Sequence, residues 1–75
     1  MKRYIGADGD SGVAAYEAGP GWILVRFHHG GTYRYDDTHP GPLHVMEMQR
    51  LADAGDGLNT YINQHVRDDY AQRIA

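Results

Sequence analysis

The most constraining feature of the chain is the stretch WILVRFHHGGTYRYDD, which spans residues 22–37. Ile23, Val25 and Phe27 alternate with a mixed set of side chains in its first half, and two tyrosines stand two residues apart in its second half. Side chains at every second position of a strand share one face of a sheet. The alternation therefore predicts two strands, each with one apolar face, joined by a turn at the glycine pair 30–31.

The length of that turn decides which residues lie opposite each other. A three-residue loop over 29–31 suits the commonest three-residue hairpin, because glycine adopts positive φ at little cost. A two-residue loop would place apolar residues opposite polar ones and mix the two faces of the sheet. The predicted cross-strand pairs are Val25 with Tyr35, Arg26 with Arg34, and Phe27 with Tyr33. This register predicts that both tyrosines face the core and that both arginines face the other side.

Proline and glycine divide the second half of the chain into two helices. Pro42 suits the first position of a helix and Gly55 the residue just past its end, which predicts a helix over 42–54. Its predicted apolar face comprises Leu43, Met46, Leu51 and Ala54, widened by Val45 and Met48. A second helix is predicted over 61–74, because its apolar residues repeat every four positions. Asn59 and Thr60 are its alternative caps, and Ile62, Val66, Tyr70 and Ile74 form its spine.

A further strand, VAAYEAG over residues 13–19, precedes the hairpin and is separated from it by the turn AGPG. The element order is therefore β-β-β-α-α. This order predicts an α+β fold, in which a three-stranded antiparallel β-meander is followed by two α-helices packed on one face. We expect a single domain over residues 12–75, with residues 1–11 as a flexible, glycine-containing lead-in.

The composition argues against catalysis and against a metal site. The sequence has no cysteine, and its five histidines show no metal-ligand spacing such as HExxH. Its single serine, Ser11, lies in the predicted lead-in, where a catalytic triad would have no rigid support. The adjacent carboxylates at 36–37 and 68–69 are typical of a solvated turn and a solvated helix surface. We therefore predict that the protein is not an enzyme and uses no cofactor and no metal.

Hydropathy and charge bear on the surroundings and the partners of the chain. The longest run of large apolar residues, WILV, is too short to cross a membrane, and the first residues lack the apolar region of a signal peptide. We expect a cytoplasmic protein with no membrane partner.

The formal net charge is −3 and the isoelectric point is near 5.9, whereas a dedicated nucleic-acid binder is usually basic. Binding to nucleic acid would therefore need a local basic surface.

The predicted outer face of the hairpin offers such a surface. Its residues are Trp22, Leu24, Arg26, His28, Thr32 and Arg34. Like charges directly opposite each other destabilise a sheet by up to about 1 kcal/mol, so the predicted pair of Arg26 and Arg34 calls for an acidic partner. Two partners remain open at this point: Glu17 on the preceding strand, and an anionic ligand.

Two separate segments of the chain carry a recognisable pattern. WILVRFHHGGTYRYDD contains an apolar strand ending in Phe, a glycine turn and Tyr-x-Tyr, and YINQHVRDDY follows aromatic-hydrophobic-Asn-x-x-(Ile/Val)-Arg-x-x-Tyr. Together they resemble the KTSC domain family, a small domain that is also found at the C-terminus of some lysyl-tRNA synthetases. The resemblance spans residues 11–70. The sequence departs from the family pattern at Pro40, which lies one place late, and at Gly57 and Asn59 before the last helix.

The resemblance implies an α+β fold without cofactor or catalysis, and its synthetase context implies RNA contact by association only. The positions that match the family signature are Tyr33, Tyr35, Asn63, Val66, Arg67 and Tyr70. Strand alternation and helical spacing predict that the tyrosines and Val66 are core residues, and that Asn63 ties a loop backbone. For Arg67 two interpretations remain open, an ion pair with an acidic neighbour or a contact with a phosphate.

Two functional hypotheses follow, and both rank above an enzyme. In the first, the protein contacts RNA or tRNA through a basic sheet face. The candidate contacts are Arg26, Arg34 and Arg67 for phosphates, and His28 and Trp22 for a base. In the second, Trp22 and Leu24 anchor a protein partner or a second copy of the chain, with arginine at the rim.

Overall fold

The structure, a computed structural model, describes residues 1–5 and 12–75. Its strands are β1 (Lys2–Arg3), β2 (Val13–Gly19), β3 (Trp22–Phe27), β4 (Thr32–Asp36) and β5 (Gln72–Arg73). Its helices are α1 (Pro42–Ala54) and α2 (Leu58–Tyr61), and α2 continues as a π-helical segment, Ile62–Val66. No helix of the described ranges is long and apolar enough to cross a membrane.

The five strands form one antiparallel sheet in the order β1-β2-β3-β4-β5, so each strand pairs with its neighbour in sequence. Both helices contribute to a core on one face of this sheet. The sheet supplies Val13, Tyr16, Ile23, Val25 and Tyr35 to that core, and the helices supply Val45, Met48, Ala52, Leu58, Ile62 and Val66. The predicted α+β class is confirmed. The sheet has five strands instead of the three predicted.

The hairpin of β3 and β4 has the predicted sidedness but a different register. Tyr35 lies opposite Ile23 and is 1% exposed, which confirms that it faces the core. Arg34 lies opposite Leu24, and Arg26 lies opposite Thr32, so the predicted pairing of the two arginines is wrong. The register differs by two residues, and a shift of two keeps every side chain on its face.

Gly31 explains the shift. The Phe27 backbone N–H donates a hydrogen bond to the Gly31 carbonyl at 3.2 Å, so the loop comprises residues 28–30 and Gly31 already belongs to the paired region. A side chain at Gly31 would collide with the carbonyl oxygen of Ala75. The glycine that the sequence assigned to the turn is therefore needed for the close approach of the C-terminal residues.

Helix α1 has the predicted bounds, and Gly55 ends it in the left-handed conformation with φ of 70°. Its predicted apolar face is wrong in part, because Leu43 is 80% exposed and Met46 is 65% exposed. The buried face comprises Val45, Met48 and Ala52. Gln49 helps to fix this rotation, since its side-chain amide donates to the carbonyls of Gly19 and Trp22 at 2.8 Å each.

The last predicted helix differs at both ends: it begins at Leu58 with Gly57 as its N-cap, instead of Asn59 or Thr60, and it ends at Val66. Asp68 and Asp69 follow its final turn, where negative charge opposes the helix dipole. The chain then adds β5 to the edge of β4. The Ala71 N–H donates to the Arg34 carbonyl at 2.8 Å, and the Ile74 N–H donates to the Thr32 carbonyl at 2.7 Å. This pairing satisfies backbone groups that an exposed edge strand would leave open.

The first residues also belong to the fold, in contrast to the predicted lead-in over 1–11. Lys2 and Arg3 pair with β2, and Tyr4 is 5% exposed. The Tyr4 hydroxyl accepts a hydrogen bond from the Leu58 N–H at 3.2 Å, which ties the first strand to the start of α2. The remainder of the predicted lead-in, residues 6–11, lies outside the described residues.

Candidate functional site

The face of the sheet opposite the helices, here called the open face, carries several of the predicted contact residues. Trp22, Leu24, Arg26, Thr32 and Arg34 lie on it, because none of them shares the face of the core residues Ile23, Val25 and Tyr35. His28 lies outside β3, exposed in the hairpin loop. Trp22, Leu24 and Arg34 are half-buried, whereas Arg26 is exposed.

Arg34 is neutralised on the open face by Asp36, two residues further along β4. Its Nε donates to Asp36 Oδ2 at 3.1 Å, and its guanidinium carbon lies 5.3 Å from the centre of the Trp22 ring. Asp36 also accepts hydrogen bonds from the Thr38 hydroxyl at 2.6 Å and the Thr38 N–H at 2.9 Å. The Thr38 hydroxyl and then Arg34 hold the pKa of Asp36 well below its usual value. Glu17 lies opposite Leu24 and is not the ion-pair partner of Arg34.

Arg26 has a different neighbour from the one predicted. It lies opposite Ala15 of β2, and Ala15 in turn lies opposite Arg3 of β1. Both arginines are exposed, and neither forms an ion pair with any residue in the described ranges. Two strand spacings of about 4.8 Å separate their backbones. Sequence reasoning missed Arg3, because its place in the sheet depends on a two-residue strand with no pattern of its own.

A second candidate site is a pocket on the helix side of the sheet, between the end of the β3–β4 hairpin and the π-helical segment. Its volume is about 440 Å³. The lining includes five of the predicted signature residues, Tyr33, Tyr35, Asn63, Arg67 and Tyr70. Arg67 is therefore on the opposite side of the sheet from Arg26, and the three predicted phosphate contacts do not form one surface. Val66 is buried at 1% exposure, as predicted.

Aromatic rings form one wall of this pocket. The centres of the Tyr33 and Tyr70 rings are 4.7 Å apart, and the edge-on Phe27 ring lies 5.8 Å from Tyr33. The guanidinium carbon of Arg73 lies 5.7 Å from the centre of the Tyr33 ring. Tyr70, which is 37% exposed, was predicted as a core residue of a helix and instead lines the pocket after the helix has ended.

The polar atoms of the pocket are only partly satisfied by the protein. Burial raises the pKa of Tyr35, helped by Tyr33, Tyr70 and Asp68, and its hydroxyl forms no hydrogen bond with a described residue. Every fully buried side-chain oxygen and nitrogen in the described part of the chain has a partner, so this hydroxyl must be accessible from the pocket. Arg67 is exposed and forms no ion pair within 1–5 and 12–75.

The histidines form local contacts with nearby side chains. His39 Nδ1 lies 3.0 Å from Asp69 Oδ1 at an exposed position, and His44 Nδ1 lies 2.6 Å from the Tyr61 hydroxyl. No group of three or more metal-ligating side chains occurs among the residues that the structure describes.

Comparisons with protein-family models, curated proteins and solved structures give no match. The resemblance to the KTSC family therefore stays a prediction.

Proposed function

We propose that the protein is a small, non-catalytic binding module that contacts single-stranded RNA through the open face of its sheet. The observation that carries this proposal is the row formed by Arg3, Ala15 and Arg26. Two exposed arginines flank a small side chain there, and neither has an acidic partner in the described ranges. Guanidinium groups form strong, bidentate hydrogen bonds with phosphate oxygens, so this row suits a phosphate backbone.

Trp22 supplies the second part of the proposed contact. It is half-buried on the same face, and Arg34 lies over its ring at 5.3 Å. An unstacked base can stack on an aromatic or guanidinium plane, which contributes about 1–3 kcal/mol per base. Asp36 neutralises Arg34, so in this proposal Arg34 positions the ring and Arg26 and Arg3 supply the charge.

The test is a titration of a labelled mixed-sequence RNA strand, followed by anisotropy at two salt concentrations. We expect binding that weakens with salt, because bound phosphates release counterions. Replacing both Arg3 and Arg26 by Gln should lower the salt slope by about 1.4, at about 0.7 per phosphate contact on a single strand. Absence of binding at low salt would exclude the proposal.

A matched control comes from α1. Arg50 is exposed on the helix side and pairs with Glu47. Arg50→Gln removes the same charge as Arg26→Gln, and we expect it to leave RNA affinity within about twofold, since it lies off the open face. Equal losses from the two variants would mean that only net charge matters and that the open face is not the contact surface.

A protein partner is the second candidate function, and a specific apolar group favours it. Leu24 is half-buried on the open face, where it lies opposite Arg34. The register of β5 places Ile74, which is 49% exposed, on the same face. Sedimentation over a range of concentrations tests self-association. We expect Leu24→Ser to weaken a dimer that Leu43→Ser on α1 leaves intact. A monomer at every concentration would rule out a second copy of the chain as the partner.

A further inference from the structure

The pocket beside the π-helical segment has the properties of a ligand site, independently of the RNA contact proposed for the open face. Its volume of about 440 Å³ falls within the range of about 300–1,000 Å³ that is usual for small-molecule sites. Most of its lining comes from segments far apart in the chain, from the hairpin to the residues after α2. A π-helical turn forms part of its wall, and such turns are frequent at functional sites.

One wall of the pocket suits a flat ring. Tyr33 and Tyr70 are 4.7 Å apart at 59°, and Phe27 meets Tyr33 edge-on. Planar heterocycles stack on such side chains in many nucleic-acid-binding proteins. The guanidinium carbon of Arg73 also lies 5.7 Å from the centre of the Tyr33 ring, so a positive charge borders this wall.

The polar groups suit a ligand with an anionic end and a hydrogen-bonding ring. Arg67 brings a positive charge without an ion pair in the described ranges, and the Tyr35 hydroxyl is a nearly buried group without a hydrogen bond there. Asp68 and Asn63 line the same pocket and can accept from ring N–H or amino groups. A simple aromatic acid would leave these acceptors unused, whereas the amino group of a base can donate to them.

We propose that this pocket binds a nucleotide, with its base against Tyr33 and Tyr70 and its phosphate on Arg67. In this arrangement the Tyr35 hydroxyl donates a hydrogen bond to the ligand, while Asn63 and Asp68 contact the edge of the base. The same chemistry is available from a free mononucleotide and from a nucleotide splayed out of an RNA strand. This site is separate from the row of Arg3 and Arg26, which lies on the other face of the sheet.

The experiment is a titration of ¹⁵N-labelled protein with AMP, adenosine, ribose 5-phosphate and phenyl phosphate, followed by NMR chemical shifts. We expect saturable shifts with AMP that centre on Tyr33, Asn63 and Arg67. Adenosine lacks the anion, and ribose 5-phosphate and phenyl phosphate lack the base edge, so each should bind about tenfold or more weakly. Equal binding of phenyl phosphate and AMP would overturn the assignment of the base edge.

Arg67→Gln tests the phosphate contact. We expect AMP to bind this variant about as weakly as adenosine binds the natural protein, while adenosine binding itself stays unchanged. Arg67→Lys should restore part of the difference, because a lysine keeps the charge and loses the bidentate geometry. A loss that is equal for AMP and adenosine would show that Arg67 does not meet the phosphate.

Tyr35→Phe tests the hydroxyl without changing the volume of the ring. We expect a fall of about tenfold in AMP affinity. Tyr16→Phe is the matched control, since the Tyr16 hydroxyl donates to Asp53 at 2.9 Å outside this pocket. It should change stability and leave AMP affinity unaltered. If both variants bind AMP like the natural protein, the Tyr35 hydroxyl is not a ligand contact and the proposed site is wrong.

A last comparison separates the two sources of the ligand and the two proposed surfaces. A trinucleotide that shifts the same amides and binds with higher affinity than AMP identifies an RNA strand as the source. Higher affinity for AMP identifies a free nucleotide. Arg26→Gln should leave AMP binding unchanged, so a failed RNA titration and a failed AMP titration are independent results. Absence of saturable shifts with AMP and the trinucleotide at millimolar concentration overturns the proposal.

Discussion

The two candidate surfaces differ in how the chain builds them. The open face is a set of strand positions whose sidedness follows from alternation. The pocket collects Tyr33 from a strand, Asn63 from a helical turn and Tyr70 from the segment after it. Strand alternation therefore locates a face, whereas a concave site forms where elements end and meet.

The surfaces also differ in their electrostatics. On the open face, Asp36 neutralises Arg34, and the remaining charge of Arg26 is exposed to solvent, where salt screens it. In the pocket, Tyr35 is almost fully buried, so hydrogen bonds there act in a less polar environment. We therefore expect salt-sensitive, weakly selective binding on the open face and more selective binding in the pocket.

The largest predicted effect contrasts the two faces of one strand. Ile23 is 0% exposed, so Ile23→Ala should lower the free energy of unfolding by about 2–5 kcal/mol. Leu24 lies one residue further on, half-buried on the open face, and Leu24→Ala should cost only about 1 kcal/mol. Urea unfolding measures both variants.

A milder pair keeps this contrast measurable if Ile23→Ala does not fold. Ile23→Val should cost about 0.5–1.5 kcal/mol, still through loss of buried contacts. Similar costs for Ile23→Val and a Leu24→Val variant would contradict the assignment of the two faces.

The next prediction concerns β5, which closes the edge of the sheet beside the pocket. Ile74→Pro removes the N–H that donates to the Thr32 carbonyl at 2.7 Å, whereas Ile74→Ala keeps it. We expect the proline variant to be about 1–3 kcal/mol less stable than the alanine variant. Hydrogen exchange of the Ala71 and Thr32 amides should accelerate in the proline variant only, and unchanged exchange would contradict the pairing of β5 with β4.

A smaller effect follows from the ion pair on the open face. The folded-state pKa of Asp36 is below its ordinary value of 3.8, so Asp36 stabilises the fold above that value. This contribution is lost as the pH falls through 3.8 toward the lowered folded-state pKa. Asp36→Asn should therefore be less stable at neutral pH and should lose less stability on acidification, as thermal unfolding across pH would show.

The same variant separates the two surfaces. Without Asp36, the charge of Arg34 is no longer neutralised on the open face. RNA affinity should therefore rise at low salt while AMP affinity stays constant. If both affinities change together, the two surfaces are not independent.

The smallest effect concerns Trp22, which is the only tryptophan and so reports on the open face alone. Arg34→Gln removes the cation over its ring, at a cost of about 0.5–1 kcal/mol, and should shift its emission. RNA binding should change this emission, and AMP binding in the pocket should not. A response of Trp22 to AMP would place the nucleotide on the open face.

The candidate sites were only partly predictable. Arg26 and Arg34 were correctly placed on one face, because a register shift of two residues preserves sidedness. Their neighbours were wrong, since the shift brings Arg34 opposite Leu24. Arg34 pairs instead with Asp36, two residues further along the same strand. The pattern of Tyr33, Asn63, Arg67 and Tyr70 was noted, and Tyr33 packs against the core as alternation predicts. Helical periodicity wrongly assigned Tyr70 to the core. The convergence of these residues on a pocket depends on where the helix stops.

The α+β class, the sidedness of the hairpin and the bounds of α1 follow from local sequence, because alternation, Pro42 and Gly55 act over a few neighbouring residues. The register, the end of the last helix and the pairing of Lys2–Arg3 and Gln72–Arg73 depend on contacts between distant segments. The physical reason is that a short segment with weak local preference adopts whichever conformation satisfies the backbone groups of its neighbours. The edges of β2 and β4 offered such groups, and only the folded chain brings them within reach.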